Sequence, residues 1–160
     1  MTETPETSRA DRPNRYPLPP VIFVASLALG YGLNALAPVA LPLPGLAKLV
    51  GALGLGAGLA LILWASSTLS RAGTAILPHH AATRLVTAGP FAWSRNPIYL
   101  GELLLIAGLG GVEGSLAYWV AGVVFLLAMT HFAIVREEAH LAARFGEQWQ
   151  AYAARVRRWV

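Results

Sequence analysis

Long apolar runs with almost no charge constrain this chain more than any other feature of its sequence. Residues 18–37 and 45–66 form the first two runs, and residues 98–112 and 115–135 form two more. A helix needs about 20 apolar residues to cross a bilayer. Inside the bilayer the backbone must satisfy its own hydrogen bonds, and a helix does so. The runs predict an all-α integral membrane protein with about four transmembrane helices, of which the third is short.

The composition agrees with a membrane location. Only 12% of the 160 residues are charged, against about 25% in a typical soluble domain. The absence of cysteine excludes disulfides, thiolate nucleophiles and cysteine zinc sites. The adjacent residues His79 and His80 lack the i, i+4 spacing of a helical metal site, and no Ser/His/Asp set has a nucleophile turn. Metalloenzymes and hydrolases are disfavoured, and no metal is expected.

The formal net charge of +4 has two explanations. Anionic lipid and membrane topology account for basic residues in a membrane protein. Nucleic-acid binding would need a basic stripe interleaved with stacking aromatic residues on a soluble face, and the sequence has none. The expected partner is therefore the lipid bilayer, no nucleic acid is expected, and the sequence leaves the oligomeric state open.

The polar segments divide the chain into an arm and one domain. Residues 1–17 are polar, with several prolines and arginines, which is typical of a disordered arm. Residues 18–160 are expected to form a single membrane domain. Within it, residues 38–44 make a proline-rich turn and residues 67–97 make a long polar loop.

The first two apolar runs each have a feature that needs interpretation. A cleaved signal peptide is an alternative for the first run, but that run exceeds the apolar core of about 7–15 residues found in signal peptides. We therefore interpret it as a span. In the second span, Gly54 and Gly58 form a GxxxG pair, which predicts close packing against another helix.

Basic residues predict the orientation of the chain. All of the arginines fall in the N-terminal arm, the long loop and the C-terminal tail, whereas Lys48 falls on the other side. The arginines are Arg9, Arg12, Arg15, Arg71, Arg84, Arg95, Arg136, Arg144, Arg155, Arg157 and Arg158. By the positive-inside rule, both termini and the long loop are cytoplasmic.

The tail is predicted to be an amphipathic interfacial helix over residues 136–158. Its apolar residues recur at spacings of three and four, which place them on one helical face. They are Leu141, Phe145, Trp149, Tyr152, Val156 and Trp159. Four arginines of the tail (Arg144, Arg155, Arg157 and Arg158) suit contact with anionic headgroups. The helix serves either as a simple anchor or as a cover that closes a pocket.

This topology brings three polar groups to one membrane depth: the loop around residues 83–99, Glu102, and residues 136–138. Adjacent residues on a helix point about 100° apart. Glu137 can therefore face an interior pocket while Glu138 meets solvent or an arginine. Glu102 is either a functional carboxylate or an ordinary helix-start acid.

Two segments carry a family resemblance. They are TRLVTAGPFAWSRNPIYLG at residues 83–101 and REEAHLAARFGEQWQAYAARVRRW at residues 136–159. Together they resemble the isoprenylcysteine carboxyl methyltransferase family and, more loosely, the phospholipid N-methyltransferases. The motifs of that family look like L-V-T-x-G-x-Y-x-x-x-R-H-P-x-Y and E-E-x-x-L-x-x-x-F-G-x-x-Y-x-x-Y. Both match in order, over about the C-terminal half of the chain.

The resemblance implies a membrane enzyme that transfers a methyl group from S-adenosyl-L-methionine and lacks a Rossmann fold. The acceptor would be a small lipophilic molecule or a lipid, methylated at a carboxyl oxygen or at an amine nitrogen. The positions implied to contact the cofactor are Arg84, Leu85, Val86, Phe91, Arg95, Asn96, Pro97, Ile98, Tyr99 and Glu137. Carboxylates suit the sulfonium and ammonium of this cofactor, and aromatic walls suit its adenine.

The candidate catalytic residues are His131, Arg136 and Glu138. A carboxylate acceptor needs no base, whereas an amine acceptor would need His131, Glu102 or Glu138 as a proton acceptor. His131 is otherwise a packing histidine. The family places a substrate-binding arginine about one turn before the acidic pair, where this chain has Ala133, with His131 and Arg136 nearby.

The chain departs from the family pattern at two further positions, and two other functions remain open. Asn96 stands where the family usually has histidine, and Phe91 stands where it has tyrosine. A nicotinamide-dependent membrane reductase of related fold is one alternative, although such reductases resemble the family only in their C-terminal half and are much longer. A non-catalytic membrane packing protein is the other.

Overall fold

The computed structural model describes residues 18–74 and 83–160. The expected disordered arm of residues 1–17 and the pair His79 and His80 lie outside the described residues. The helices are α1 (Leu18–Leu36), α2 (Gly45–Arg71), α3 (Pro97–Glu113), α4 (Leu116–Met129), α5 (Val135–Phe145) and α6 (Glu147–Arg155). A 3-10 turn covers Gly89–Ala92, and a π-helical segment, Thr130–Ile134, joins α4 to α5.

The prediction of an all-α membrane protein is confirmed. Three stretches of helix in the described part of the chain are long and apolar enough to cross a bilayer: Leu18–Leu36, Gly45–Arg71 and Leu116–Phe145. Helix α3 has 17 residues, at the lower end of the roughly 17–25 that span a membrane. The predicted short third span agrees with this length, so three helices are full-length candidates and α3 is a marginal one.

Glycines hold α2 and α3 close together in an antiparallel pair. A Cβ atom added at Gly58 would lie 2.6 Å from the carbonyl oxygen of Gly101. One added at Gly51 would lie 2.9 Å from the carbonyl oxygen of Gly108. The predicted use of Gly58 in close packing is therefore correct, but its main companion is Gly51 rather than Gly54, whose Cβ would make only an ordinary contact at 3.8 Å.

Helices α1 and α4 form the second antiparallel pair. A Cβ at Gly30 would lie 2.7 Å from the ring of Tyr118, and the rings of Phe23 and Phe125 meet edge to face at 6.1 Å. Phe125 belongs to the buried apolar core, which also includes Ile106 and Met129. The core therefore lies where α3 and α4 meet, with α1 packed against it.

The turn between α1 and α2 meets the turn between α3 and α4 at the end of the molecule opposite residues 83–96. The amide of Leu41 donates to the carbonyl of Gly114 at 2.6 Å, and the amide of Leu116 donates to the carbonyl of Val39 at 3.1 Å. The Ser115 hydroxyl donates to Oδ1 of Asn34 at 2.6 Å. These bonds fix one end of the bundle and leave residues 83–96 and the C-terminal tail at the other end.

The C-terminal tail differs from the single helix predicted over residues 136–158. It is broken at Gly146, whose backbone has φ 50° and ψ −122°, a conformation that side chains with a Cβ disfavour. Helix α6 ends at Arg155, and Val156 is extended, with φ −115° and ψ 128°. The predicted apolar stripe is thus divided between two helices and an extended segment.

Two other boundaries differ from the predictions. Helix α2 continues to Arg71, beyond the predicted end near residue 66, and includes the small and hydroxyl residues after Trp64. There, Ser67 and Thr68 return their hydroxyl hydrogen bonds to the carbonyl of Trp64. The fourth span continues without a break through Thr130–Ile134 into α5.

We predict that Gly58→Ala destabilises the protein, because the new Cβ meets backbone atoms of α3 that cannot rotate away. Overpacking of this kind costs about 1–3 kcal/mol. Gly56→Ala is the matched control, since nothing lies within 4 Å of its Cβ position and alanine favours a helix over glycine by about 0.5–1 kcal/mol. Unfolding in the same detergent should give a lower midpoint for Gly58→Ala alone. Equal midpoints for the two variants would contradict the close approach of α2 and α3.

Candidate active site

A short ordered segment leads from the long loop into α3. The 3-10 turn Gly89–Ala92 is followed by Ser94, whose hydroxyl accepts a hydrogen bond from the amide of Asn96 at 3.1 Å. Pro97 begins α3, a position where its fixed φ and missing amide hydrogen suit a helix. Proline and local hydrogen bonds therefore determine where residues 94–99 lie.

Tyr99 and Glu137 join α3 to α5. The Tyr99 hydroxyl donates to Oε1 of Glu137 at 2.8 Å, and Tyr99 is only 8% exposed. Glu102 lies one turn further along α3, on the face shared by residues three apart. Its Oε2 is buried and has no hydrogen-bond partner in residues 18–74 and 83–160. Two carboxylates and a phenol hydroxyl thus occur near the start of α3.

Glu138 contacts two arginines, Arg95 and Arg158. Its Oε1 lies 3.4 Å from Nη1 of Arg95, and the side chains of both residues are 15% exposed. Arg158 donates to Glu138 through Nε at 3.0 Å and through Nη2 at 2.6 Å. This bidentate hydrogen bonding raises the pKa of Arg158 above its ordinary value. One carboxylate therefore holds two guanidinium groups from distant parts of the chain.

The last residues run beside the segment that leads into α3. We call residues 156–160 the C-terminal strap. The amide of Arg95 donates to the carbonyl of Arg157 at 3.0 Å. The carbonyl of Arg158 accepts from Nδ2 of Asn96 at 2.9 Å and from the Ser94 hydroxyl at 3.4 Å. Trp159 packs against the buried core, so the strap is fixed at several points.

Helix α6 covers the same segment from another side. The Tyr152 hydroxyl donates to the carbonyl of Phe91 at 2.7 Å, and the guanidinium of Arg95 lies 5.7 Å from the ring centroid of Trp149. Burial raises the pKa of Tyr152 to about 12, against the opposing effect of Arg95. Tyr152 is therefore a neutral hydrogen-bond donor at physiological pH.

The structure brings together most of the residues that the sequence nominated. Their hydrogen bonds and ion pairs form three neighbouring groups, which we call the network. Arg95, Asn96 and Glu138 are joined through Arg158, Tyr99 pairs with Glu137, and Phe91 is bonded to Tyr152. Pro97 and Ile98 lie between Asn96 and Tyr99 in sequence. The expected division of the acidic pair also appears, because Glu137 meets Tyr99 while Glu138 meets Arg95.

Other nominated residues lie outside this network. Arg84, His131 and Arg136 are exposed, and Leu85 and Val86 are half-buried. Within the described part of the chain, none of these five has a side-chain hydrogen bond to the network. His131 lies in the π-helical segment, with its ring edge to face with that of Phe132 at 4.8 Å.

Sequence reasoning missed the roles of Ser94, Trp149, Tyr152 and Arg158. It placed Arg158 on a helical face toward lipid headgroups, and that placement is wrong because the helix ends at Arg155 and Arg158 pairs with Glu138. The helical periodicity that carried the prediction contains no signal for an extended strap. Trp149 and Tyr152 were identified as members of the apolar stripe and as positions of the second family motif, without a role of their own.

The polar groups of the network suit an organic ligand that carries both a negative and a positive charge. Arg95 Nε is a buried donor and Glu102 Oε2 is a buried acceptor, and both lack partners among the described residues. No group of three or more His, Asp or Glu that could hold a metal occurs in residues 18–74 and 83–160. The donors and acceptors could hold a carboxylate and a cation.

The fold and the site define an all-α membrane protein with a buried cluster of acidic, aromatic and guanidinium groups at one end. Comparison with known families finds a match to phospholipid methyltransferase over residues 46–148. The match covers more than half of the chain and includes α2, α3, α4 and α5. The chain therefore belongs to the phospholipid methyltransferase family, which supports a membrane methyltransferase in general.

The similar curated proteins include an uncharacterized protein of Haemophilus influenzae, 33% identical over 63 residues, which are 39% of this chain and all of that protein. The nickel-cobalt-cadmium resistance protein NccN of Alcaligenes xylosoxydans is 33% identical over 47% of this chain and 35% of its own length. The cobalt-zinc-cadmium resistance protein CzcN of Cupriavidus metallidurans is 36% identical over 45% and 33%. The chain thus matches about a third of each resistance protein. No solved structure matches it.

We predict that Asn96→Asp destabilises the protein by roughly 1–3 kcal/mol, because it removes a buried donor and leaves the carbonyl of Arg158 facing a carboxylate. Asn34→Asp is the matched control, since Asn34 uses Oδ1 to accept from Ser115 and aspartate keeps that acceptor. Denaturant unfolding of both variants measures the difference. A loss for Asn34→Asp as large as that for Asn96→Asp would show that the Asn96 bond is not the cause.

Proposed function

We propose that the protein is an S-adenosyl-L-methionine-dependent membrane methyltransferase that acts on a small lipophilic or lipid-like acceptor. The observation that carries this proposal is that two buried atoms, Nε of Arg95 just before α3 and Oε2 of Glu102 in its second turn, have no partner in the described residues. Buried polar atoms without partners are rare in proteins and call for an explanation. A ligand that carries both an anionic and a cationic group supplies both missing partners.

S-adenosyl-L-methionine fits this donor and acceptor set. It has a carboxylate, which suits Arg95, and an ammonium and a sulfonium, which suit Glu137 and Glu102. Phe91 and Ile98 offer apolar surface for its adenosine. When bound, it supplies a methyl group on a positively charged sulfur as the electrophile. The residues that carry the fit come from α3, α5 and the turn before α3.

The residues of the chain mainly bind, orient and exclude water. Methyl transfer by in-line displacement depends on alignment of donor and acceptor. The Tyr99 hydroxyl holds one oxygen of Glu137 in place, which fixes the carboxylate relative to α3. Trp149 and Tyr152 of α6 are buried over the segment before α3 and separate it from water.

The acceptor side has its own candidates. Glu138 contacts two arginines, Arg95 and Arg158, so its carboxylate is engaged as a structural anchor. His131 and Arg136 are exposed at the same end of the molecule, where an acceptor arriving from lipid would meet them.

We also propose that the site and both termini face the cytoplasm. The arginines of the long loop and the tail support this orientation by the positive-inside rule. A soluble cofactor would then arrive from the cytosol, and a lipophilic acceptor would arrive from the bilayer.

We predict that the detergent-purified protein binds S-adenosylhomocysteine, the demethylated product, in isothermal titration calorimetry. Glu137→Gln and Tyr99→Phe should each weaken binding by about tenfold or more, the equivalent of about 1.4 kcal/mol, because each removes or misplaces the carboxylate. Glu113→Gln is the control, since Glu113 is exposed at the far end of α3.

Three outcomes would oppose this proposal. A folded, monodisperse wild-type protein that binds no S-adenosylhomocysteine would exclude it. Binding of a reduced nicotinamide instead would indicate a membrane reductase. Equal losses for Glu113→Gln and Glu137→Gln would show that the effect is a general one of charge rather than of the site.

A further inference from the structure

We propose that the C-terminal strap is part of the binding site and that Arg158 is the positioning residue through which the strap orients Arg95 and Asn96. The strap follows α6 and runs beside the segment before α3, more than 60 residues away in sequence. The affinity measurement that tests this proposal rests on the proposed function, whereas the hydrogen-exchange measurement does not.

Main-chain atoms of the strap supply one half of the attachment. The carbonyls of Arg157 and Arg158 accept three hydrogen bonds from Arg95, Asn96 and Ser94, at 3.0, 2.9 and 3.4 Å. Asn96 is only 8% exposed and Ser94 only 3%. Loss of these bonds would leave buried polar groups unpaired, which is costly.

The Arg158 side chain supplies the other half. Its guanidinium donates hydrogen bonds to both carboxylate oxygens of Glu138, and Glu138 in turn contacts Nη1 of Arg95. A bidentate guanidinium–carboxylate pair fixes direction as well as distance. The chain of contacts therefore runs from the strap through α5 to the guanidinium whose Nε is proposed to meet the ligand.

The strap depends on these contacts because it has no regular secondary structure of its own. Val156 is extended, and its amide makes the last helical hydrogen bond of α6, to the carbonyl of Tyr152 at 3.0 Å. Beyond Val156, the contacts of the strap within the described residues are the packing of Trp159 against the core, the Arg158 side chain and the carbonyl bonds. Removal of the Arg158 guanidinium should therefore release the strap and leave Glu138 with a single cationic partner.

The test uses Arg158→Gln and Arg158→Lys, with Arg155→Gln as the matched control. Arg155 is an exposed arginine three residues earlier, and its Nε donates locally to the carbonyl of Ala151 at 3.2 Å. The first readout is hydrogen exchange, by mass spectrometry, of peptides that contain residues 93–99. The second is S-adenosylhomocysteine affinity by calorimetry.

We expect faster exchange at residues 93–99 and weaker affinity for Arg158→Gln. The affinity loss should be roughly tenfold to 100-fold, within the range of about 5-fold to 150-fold by which one site typically changes affinity at another. Arg158→Lys should recover part of the affinity, since it keeps the charge but not the bidentate geometry. Arg155→Gln should match the wild type in both readouts.

Wild-type exchange and affinity in a folded Arg158→Gln protein would overturn the proposal, as would equal losses in Arg155→Gln. If Arg158→Gln fails to fold, Arg158→Lys and the near-isosteric Glu138→Gln decide in its place by the same two readouts. If the wild type binds no S-adenosylhomocysteine, the proposed function fails while the exchange of residues 93–99 still tests the strap.

Discussion

The geometry of the candidate site depends on one carboxylate that lies between two guanidinium groups. Glu138 contacts Arg95 at 3.4 Å and Arg158 at 2.6 Å, and only 15% of its side chain is exposed. Removing Arg95 would leave a largely buried charge without compensation, whereas solvent partly screens the pair with Arg158, whose side chain is 37% exposed. Three elements meet at this carboxylate: α5, the segment before α3, and the C-terminal strap. Their relative positions are therefore coupled.

The glycine contacts between α2 and α3 set the second constraint. Gly101 lies two residues after Tyr99, and its carbonyl approaches Gly58 so closely that a methyl group does not fit. A helix that packs this tightly has little freedom to slide or rotate. The position of Tyr99 opposite Glu137 therefore depends on residues of α2 that contribute nothing to the site itself. Packing in the bundle thus determines the geometry at its end.

Much of the fold follows from the sequence because long apolar runs and prolines are strong local signals. The runs predicted the helices, and Pro97 marks the start of α3. The acidic pair could also be assigned to two directions, since helical geometry alone separates Glu137 from Glu138. The resemblance to a methyltransferase family, carried by the motifs around Arg95 and Glu137, is consistent with the family match over residues 46–148.

The tail was harder to predict for a physical reason. Apolar residues continue at helical spacing through Gly146, so periodicity favoured one helix, although glycine commonly ends helices. The strap is held by contacts with residues more than 60 positions away, and no local pattern encodes them. Arg158 therefore looked like a surface residue of a helix. Its pairing with Glu138 emerges only when the chain is folded.

Transfer of a labelled methyl group tests the central claim most directly. The purified protein would be placed in vesicles of a total lipid extract with S-adenosyl-L-methionine that carries a tritiated methyl group. We expect tritium in the organic phase with the wild-type protein and little or none with Glu137→Gln, which lacks the charge proposed to hold the cofactor. Tritium at the same level with both proteins would contradict the site, and none with a folded wild type would contradict the proposed reaction on a lipid acceptor.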